Sequence, residues 1–271
     1  MTGETGVFAF QEPVSETGLM DVHFHRPAVW RSDGPVLIVL HGYKRNADVY
    51  LHDWRPIADR LGALLLAPEF DPAGFPSPRT YEVGAMRTPD RRAFMPPEQW
   101  SWGAVERAFD AARLRFGAER VTYWLYGHSA GGQFVHRLAL YWDDARFSHA
   151  IAANAGAYSA TDEARFPYGL GHQSPLADVG RFLGRKLTVL LGQKDRITTG
   201  KVLLKSPEAL AQGPHRLARG RYFYQTGRQT AASLGVPFGW RIVEAPDAGH
   251  SNRALAPVAG RLFEAGEREE F

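Results

Sequence analysis

From Val36 onward, short apolar runs alternate with longer amphipathic stretches. VLIVL at 36–40, ALLLA at 63–67, VTYWLY at 121–126, AIAAN at 150–154, LTVLL at 187–191 and RIVEA at 241–245 read as strands, and a purely aliphatic run such as 36–40 reads as one buried on both faces. Residues 47–61, 101–116, the stretch after Gly131, 206–234 with breaks around Gly213 and Gly220, and 252–265 carry helical spacing. In the second of these, Val105, Phe109 and Leu114 are expected in the core. Ahead of the series, 7–10 and 20–25 alternate apolar with polar residues and predict two antiparallel edge strands. The βα alternation predicts an α/β fold, a mostly parallel sheet of about eight strands with helices on both faces.

The candidate chemistry sits where strands end. GHSAG at 127–131 lies between the strand 121–126 and a helix, the setting in which G-x-S-x-G forms a sharp elbow that exposes its serine. Ser129 is therefore the candidate nucleophile, against the alternative of a serine that merely caps the helix. HGY at 41–43 follows the aliphatic strand 36–40. Gly42 lets the backbone turn there, so the N–H groups of Tyr43 and Ala130 are the candidate oxyanion donors. Asp195 follows the strand 187–191 in GQKD and is the candidate acid. Asp178 precedes that strand, and Asp247 shares a short loop with the histidine, so both are less well placed. His250 follows the last strand on the glycine-containing loop 246–249. The order Ser129, Asp195, His250 is the one this kind of fold uses.

Composition narrows the class. A chain of 271 residues suits a single domain spanning 1–271, with irregular, proline- or glycine-rich excursions at 71–100 and 157–186. Its net charge of +3, from 32 basic and 29 acidic residues of mixed order, does not resemble a nucleic-acid footprint. With no cysteine there is no disulfide, thiolate metal site or thiol nucleophile. No apolar run approaches a membrane span, and the first twenty residues lack a signal-peptide pattern, so a cytoplasmic location is expected. His23 and His25 share a strand face but have no third ligand nearby, and they read as solvated edge histidines rather than a metal site.

HGY at 41–43, GHSAG at 127–131, GQKD at 192–195 and AGH at 248–250 together resemble the α/β hydrolases, from Val36 to the C-terminus. More loosely, the chain is similar to bacterial esterases of the polyhydroxyalkanoate depolymerase and dienelactone hydrolase type. The latter use cysteine as nucleophile, which this chain lacks. The resemblance implies hydrolysis of a small-molecule or polymeric carboxylic ester through an acyl-enzyme, without cofactor or metal. Peptidase or acyltransferase chemistry on the same fold, or a ligand-binding protein without turnover, are the alternatives. Aromatic residues near strand ends, Trp102 and Tyr158 among them, are expected to line the substrate cleft.

Overall fold

A run such as Val36–Leu40 can be wholly apolar only if both faces of its strand are covered, and the structure, a computed structural model describing residues 3–90, 92–171, 177–200 and 203–268, covers both. Eight strands form one sheet: β1 (Glu4–Gln11), β2 (Leu19–Arg26), β3 (Val36–Leu40), β4 (Leu64–Pro68), β5 (Tyr123–His128), β6 (Phe147–Ala153), β7 (Leu187–Gly192) and β8 (Trp240–Ala245). Their spatial order is β1-β2-β4-β3-β5-β6-β7-β8. β1 pairs β2 and β2 pairs β4 antiparallel, and the remaining pairs are parallel. Only β1 is the edge at that end. β2, expected as a second edge strand, is enclosed between β1 and β4.

The alternation of side chains along each strand divides the core in two. Leu37, Val39, Tyr126 and Ile151 face α1 (Ala47–Leu61) and α7 (Asn252–Arg268). Ile38, Leu40, Leu125 and Val189 face the side of α2 (Gly103–Phe116), α3 (Ala130–Tyr141) and α6 (Arg216–Leu234), with the short α4 (Val179–Gly184) and α5 (Pro207–Gln212) packed against α6. In α2, Val105 and Phe109 are buried as expected, whereas Leu114 is 89% exposed. Five residues beyond Phe109, it has rotated off the inward face that Ala112 continues.

Among its described residues the 71–100 excursion contains one short 3₁₀ turn, Pro97–Gln99, yet it is well packed. Phe70, Phe75 and Tyr81 are buried; Phe75 and Tyr81 each pack on Phe70 at a centroid distance of 4.7 Å, and Phe70 and Tyr81 pack on Phe134 of α3 at 5.0 and 5.5 Å. This anchors the loop to the helix that follows Ser129. Of the second excursion, 157–186, residues 172–176 lie outside the described residues. The edge histidines are not solvated: His25 is buried, with Nδ1 2.7 Å from Thr5 Oγ1 and Nε2 2.7 Å from Asp59, and His23 Nε2 lies 2.8 Å from Glu69. The neighbouring elements supply an acid to each, which the strand pattern alone could not reveal.

Candidate active site

Ser129 stands between β5 and α3 with φ 58° and ψ −112°, a conformation that costs a non-glycine residue on the order of 1–3 kcal/mol. Close packing enforces it. A Cβ at Gly127 would overlap the Gly131 carbonyl, and one at Gly131 would overlap the Leu40 carbonyl, so the elbow needs glycine at both positions. The Ser129 N–H donates to Ala153 O at 2.9 Å, and its carbonyl accepts from Gln133 N at 3.0 Å. Its hydroxyl caps no helix N–H. Instead Oγ lies 3.0 Å from His250 Nε2, and His250 Nδ1 lies 2.7 Å from Asp195 Oδ2. Since the carboxylate can only accept, Nδ1 carries the proton and Nε2 is left to accept from the serine. The three candidate residues thus form one hydrogen-bonded series at the carboxyl edge of the sheet. Asp178 instead caps α4 by accepting from Arg181 N, and Asp247 pairs with Lys194 on the surface.

Two further groups complete the surroundings of the acid and the serine. Arg216, the first residue of α6, is buried with Nη1 3.5 Å from Asp195 Oδ1, so the fully buried carboxylate faces an imidazole on one side and a guanidinium on the other. Nothing in the sequence singles Arg216 out, since an arginine opening a helix is ordinarily solvated. His41 carries the second. Its Nε2 accepts from Phe70 N at 3.0 Å, so Nδ1 is protonated and donates to Gly42 O at 3.0 Å. The same carbonyl accepts from Arg45 N. Because the peptide is trans, fixing the Gly42 carbonyl turns the Tyr43 N–H to the opposite side. A Cβ at Gly42 would lie 3.7 Å from Ser129 Cβ, so this peptide borders the serine. Ala130, as first residue of α3, also has an N–H without an intrahelical acceptor.

Two expected cleft residues belong to the core. Trp102 is fully buried, edge-on to Phe134 at 4.5 Å, and Tyr158 is fully buried and stacked on Phe223 at 4.6 Å. Each anchors an irregular segment beneath its surface, which an apolar ring at the start of a loop does more readily than line a wet cleft. A cavity of about 570 Å³ is bordered by Arg79, Glu82, Gln133, Arg137, Phe166 and Tyr168 among others. Gln133 lies one helical turn from Ser129, and its Nε2 donates to Glu82 at 2.6 Å. Burial pushes the Glu82 carboxyl above its usual range, against the opposing pull of Arg137. A cavity of about 620 Å³ near Trp100 and Trp142 sits at the far end of α3, about 18 Å along the helix, and takes no part in the site. Among the described residues, no group of three metal-ligating side chains converges and no helix is long and apolar enough to cross a membrane.

Four histidines carry a consequence for stability. Burial holds His41 and His149 down to about 3, and His128 and His136 well below the ordinary 6.5. Between pH 6.5 and about 3 the unfolded chain therefore binds more protons than the folded one, and stability falls as pH falls. The slope reaches about 1.4 kcal/mol per pH unit for each histidine. The urea midpoint should drop clearly between pH 7.5 and 5.5; an unchanged midpoint would contradict the neutral burial of these rings.

A strained serine at a strand-to-helix turn, aligned with a histidine and an acid along the carboxyl edge of this sheet, defines a serine hydrolase of the α/β-hydrolase fold. The sequence matches no family model, and no curated protein matches it. Among solved structures, it is 39% identical to poly(aspartic acid) hydrolase-1 from Sphingomonas sp. KT-1, covering 97% of this chain and 99% of that one, with a TM-score of 0.90. It is 34% identical to a poly(3-hydroxybutyrate) depolymerase from Bordetella parapertussis, covering 97% and 91%, with a TM-score of 0.89. An S-formylglutathione hydrolase from Agrobacterium tumefaciens, at 16% identity, 97% and 94% coverage and a TM-score of 0.63, shares the fold. The chain belongs to the α/β-hydrolase superfamily.

Proposed function

We propose that this protein is a serine esterase that cleaves carboxylic esters, including those of polymer chains, through an acyl-enzyme. The observation that carries the reading is the series from Ser129 Oγ through His250 to Asp195, at 3.0 and 2.7 Å. In this reaction His250 Nε2 takes the serine proton as Oγ bonds to the ester carbonyl carbon. The N–H groups of Tyr43 and Ala130 hold the oxyanion, each worth about 3 kcal/mol by analogy with measured donors. Collapse breaks the bond to the alcohol, which takes the proton from His250; water then repeats the sequence and releases the acid. Asp195 keeps the imidazole oriented and stabilises its charged form.

Two observations support a polymeric substrate. The relatives at 39% and 34% identity are both named as hydrolases of polymers. The cavity beside Gln133 is flanked by residues 78–87 and 165–168, and neither segment forms a helical lid among the described residues. A second reading, hydrolysis of the amide links of poly(aspartic acid), is favoured by the 39% identity. The test is a panel of p-nitrophenyl esters of increasing acyl length, an emulsified poly(3-hydroxybutyrate) film and soluble poly(aspartic acid). A burst of p-nitrophenol, activity kept on long acyl chains and clearing of the film are expected. Activity that collapses beyond butyrate without clearing would overturn the polymer reading. Release of aspartyl fragments without film clearing would favour the second, and no burst at all would point to a ligand-binding protein.

A further inference from the structure

We infer that Asn154 is a positioning residue that sets the acid-bearing and histidine-bearing loops against each other and against the serine elbow. Asn154 follows β6, is fully buried, and has φ 43°, a left-handed conformation that asparagine tolerates better than most residues. Its N–H donates to Leu190 O at 3.0 Å, which keeps it in register with the end of β7. Its side-chain Oδ1 accepts from Gly192 N at 2.8 Å, and its Nδ2 donates to Gly249 O at 2.9 Å. Gly192 in turn accepts from Asp195 N, and Gly249 is bonded directly to His250. The residue before Asn154, Ala153, accepts from the Ser129 N–H. One short segment thus touches the backbone that carries each of the three residues in the hydrogen-bonded series.

The chemistry of the amide explains the choice of residue. The two loops present a donor, Gly192 N–H, and an acceptor, Gly249 C=O, to the same point. A neutral planar group with one donor end and one acceptor end satisfies both at once. Aspartate keeps the shape and the acceptor but sets a carboxylate oxygen against the Gly249 carbonyl. Glycine keeps the left-handed backbone and removes the amide. The acid and histidine loops are also tied by Lys194 N to Ala248 O at 2.9 Å and by the side-chain contacts Lys194–Asp247 and Asp195–His250, but it is Asn154 that holds the Gly249 carbonyl, immediately before His250.

This inference rests on the proposed role of Ser129, His250 and Asp195, so its test uses a reagent that needs the activated serine but no particular ester. A fluorophosphonate bonds its phosphorus to Ser129 Oγ; the P–F bond breaks, fluoride leaves, and the serine proton passes to His250. The second-order labelling rate is compared for the parent, Asn154→Asp, Asn154→Gly and Thr188→Val, together with kcat and KM on whichever ester the parent accepts. Thr188 Oγ1 lies 2.9 Å from His149 Nε2 in the buried interior of the sheet, away from all three loops, so its variant loses stability without moving them. Both Asn154 variants should slow labelling and kcat by about 10²-fold, the effect of displacing a reacting group by about 1 Å, with KM within a few-fold of the parent. Thr188→Val should label at the parent rate despite a lower Tm. A rate within two-fold of the parent in Asn154→Asp would overturn the inference, as would equal slowing in Thr188→Val. Should Asn154→Asp not fold, the same two-fold criterion applies to Asn154→Gly. A parent that is labelled but hydrolyses no ester would instead remove the esterase reading and leave this comparison standing.

Discussion

Ser129→Ala should lower kcat by on the order of 10⁶, the scale seen when the nucleophile of a serine hydrolase is removed, and should abolish fluorophosphonate labelling. The fold should survive, because the bonds that hold this position are made by its backbone: the N–H to Ala153 O and the carbonyl to Gln133 N. Alanine keeps the same Cβ, and with it the strain of φ 58°. Glycine does not, so Ser129→Gly should be equally inactive but more stable than Ser129→Ala by about 1 kcal/mol. The measurements are residual turnover after active-site titration and the urea midpoints of both variants. Turnover within tenfold of the parent in either variant would mean that the elbow is not the reacting centre, and equal midpoints would mean that it stores no strain.

The second large effect belongs to the acid. Asp195→Asn should reduce kcat by about 10⁴, as the equivalent change does in a serine protease. An amide nitrogen facing Nδ1 would donate rather than accept, leaving the proton on Nε2, where it blocks transfer from Ser129 Oγ. The environment of Asp195 adds a second consequence. Arg216 is 5% exposed and its Nη1 faces the other carboxylate oxygen at 3.5 Å, so asparagine would leave a buried guanidinium without its counter-charge. Breaking such a pair costs about 3–5 kcal/mol, which in a chain of this length lowers Tm on the order of 10 °C. Asp247→Asn is the control. That carboxylate is 96% exposed and pairs with Lys194 at the surface, so both kcat and Tm should stay near those of the parent. An Asp195→Asn enzyme with near-parental turnover would return the assignment of the acid to Asp178 or Asp247.

These expectations draw unequally on the sequence. Ser129, Asp195 and His250 were legible because each sits at a strand end whose type and spacing the chain declares, and the parallel strands bring those ends to one edge. Glycines at 127 and 131 were legible for a steric reason that the structure makes concrete: carbonyl oxygens occupy the space where a Cβ would sit. Trp102 and Tyr158 were misplaced because ring chemistry suits a core and a cleft equally, and only the neighbours, Phe134 and Phe223, decide between them.

What the sequence determined by itself was therefore local and periodic: which runs are strands, which stretches are helices, and which residues end them. Short-range sterics and the repeat of apolar positions govern those features, and both are written in consecutive residues. What only the tertiary structure decided was pairing across long intervals: the insertion of β2 between β1 and β4, His25 with Asp59, Arg216 with Asp195, and Asn154 with Gly192 and Gly249. Each of these joins groups tens of residues apart, and burial sets the requirement. Once a polar group is withdrawn from water it must find a partner of matching donor, acceptor or charge, and which partner lies within reach is a property of the packed fold.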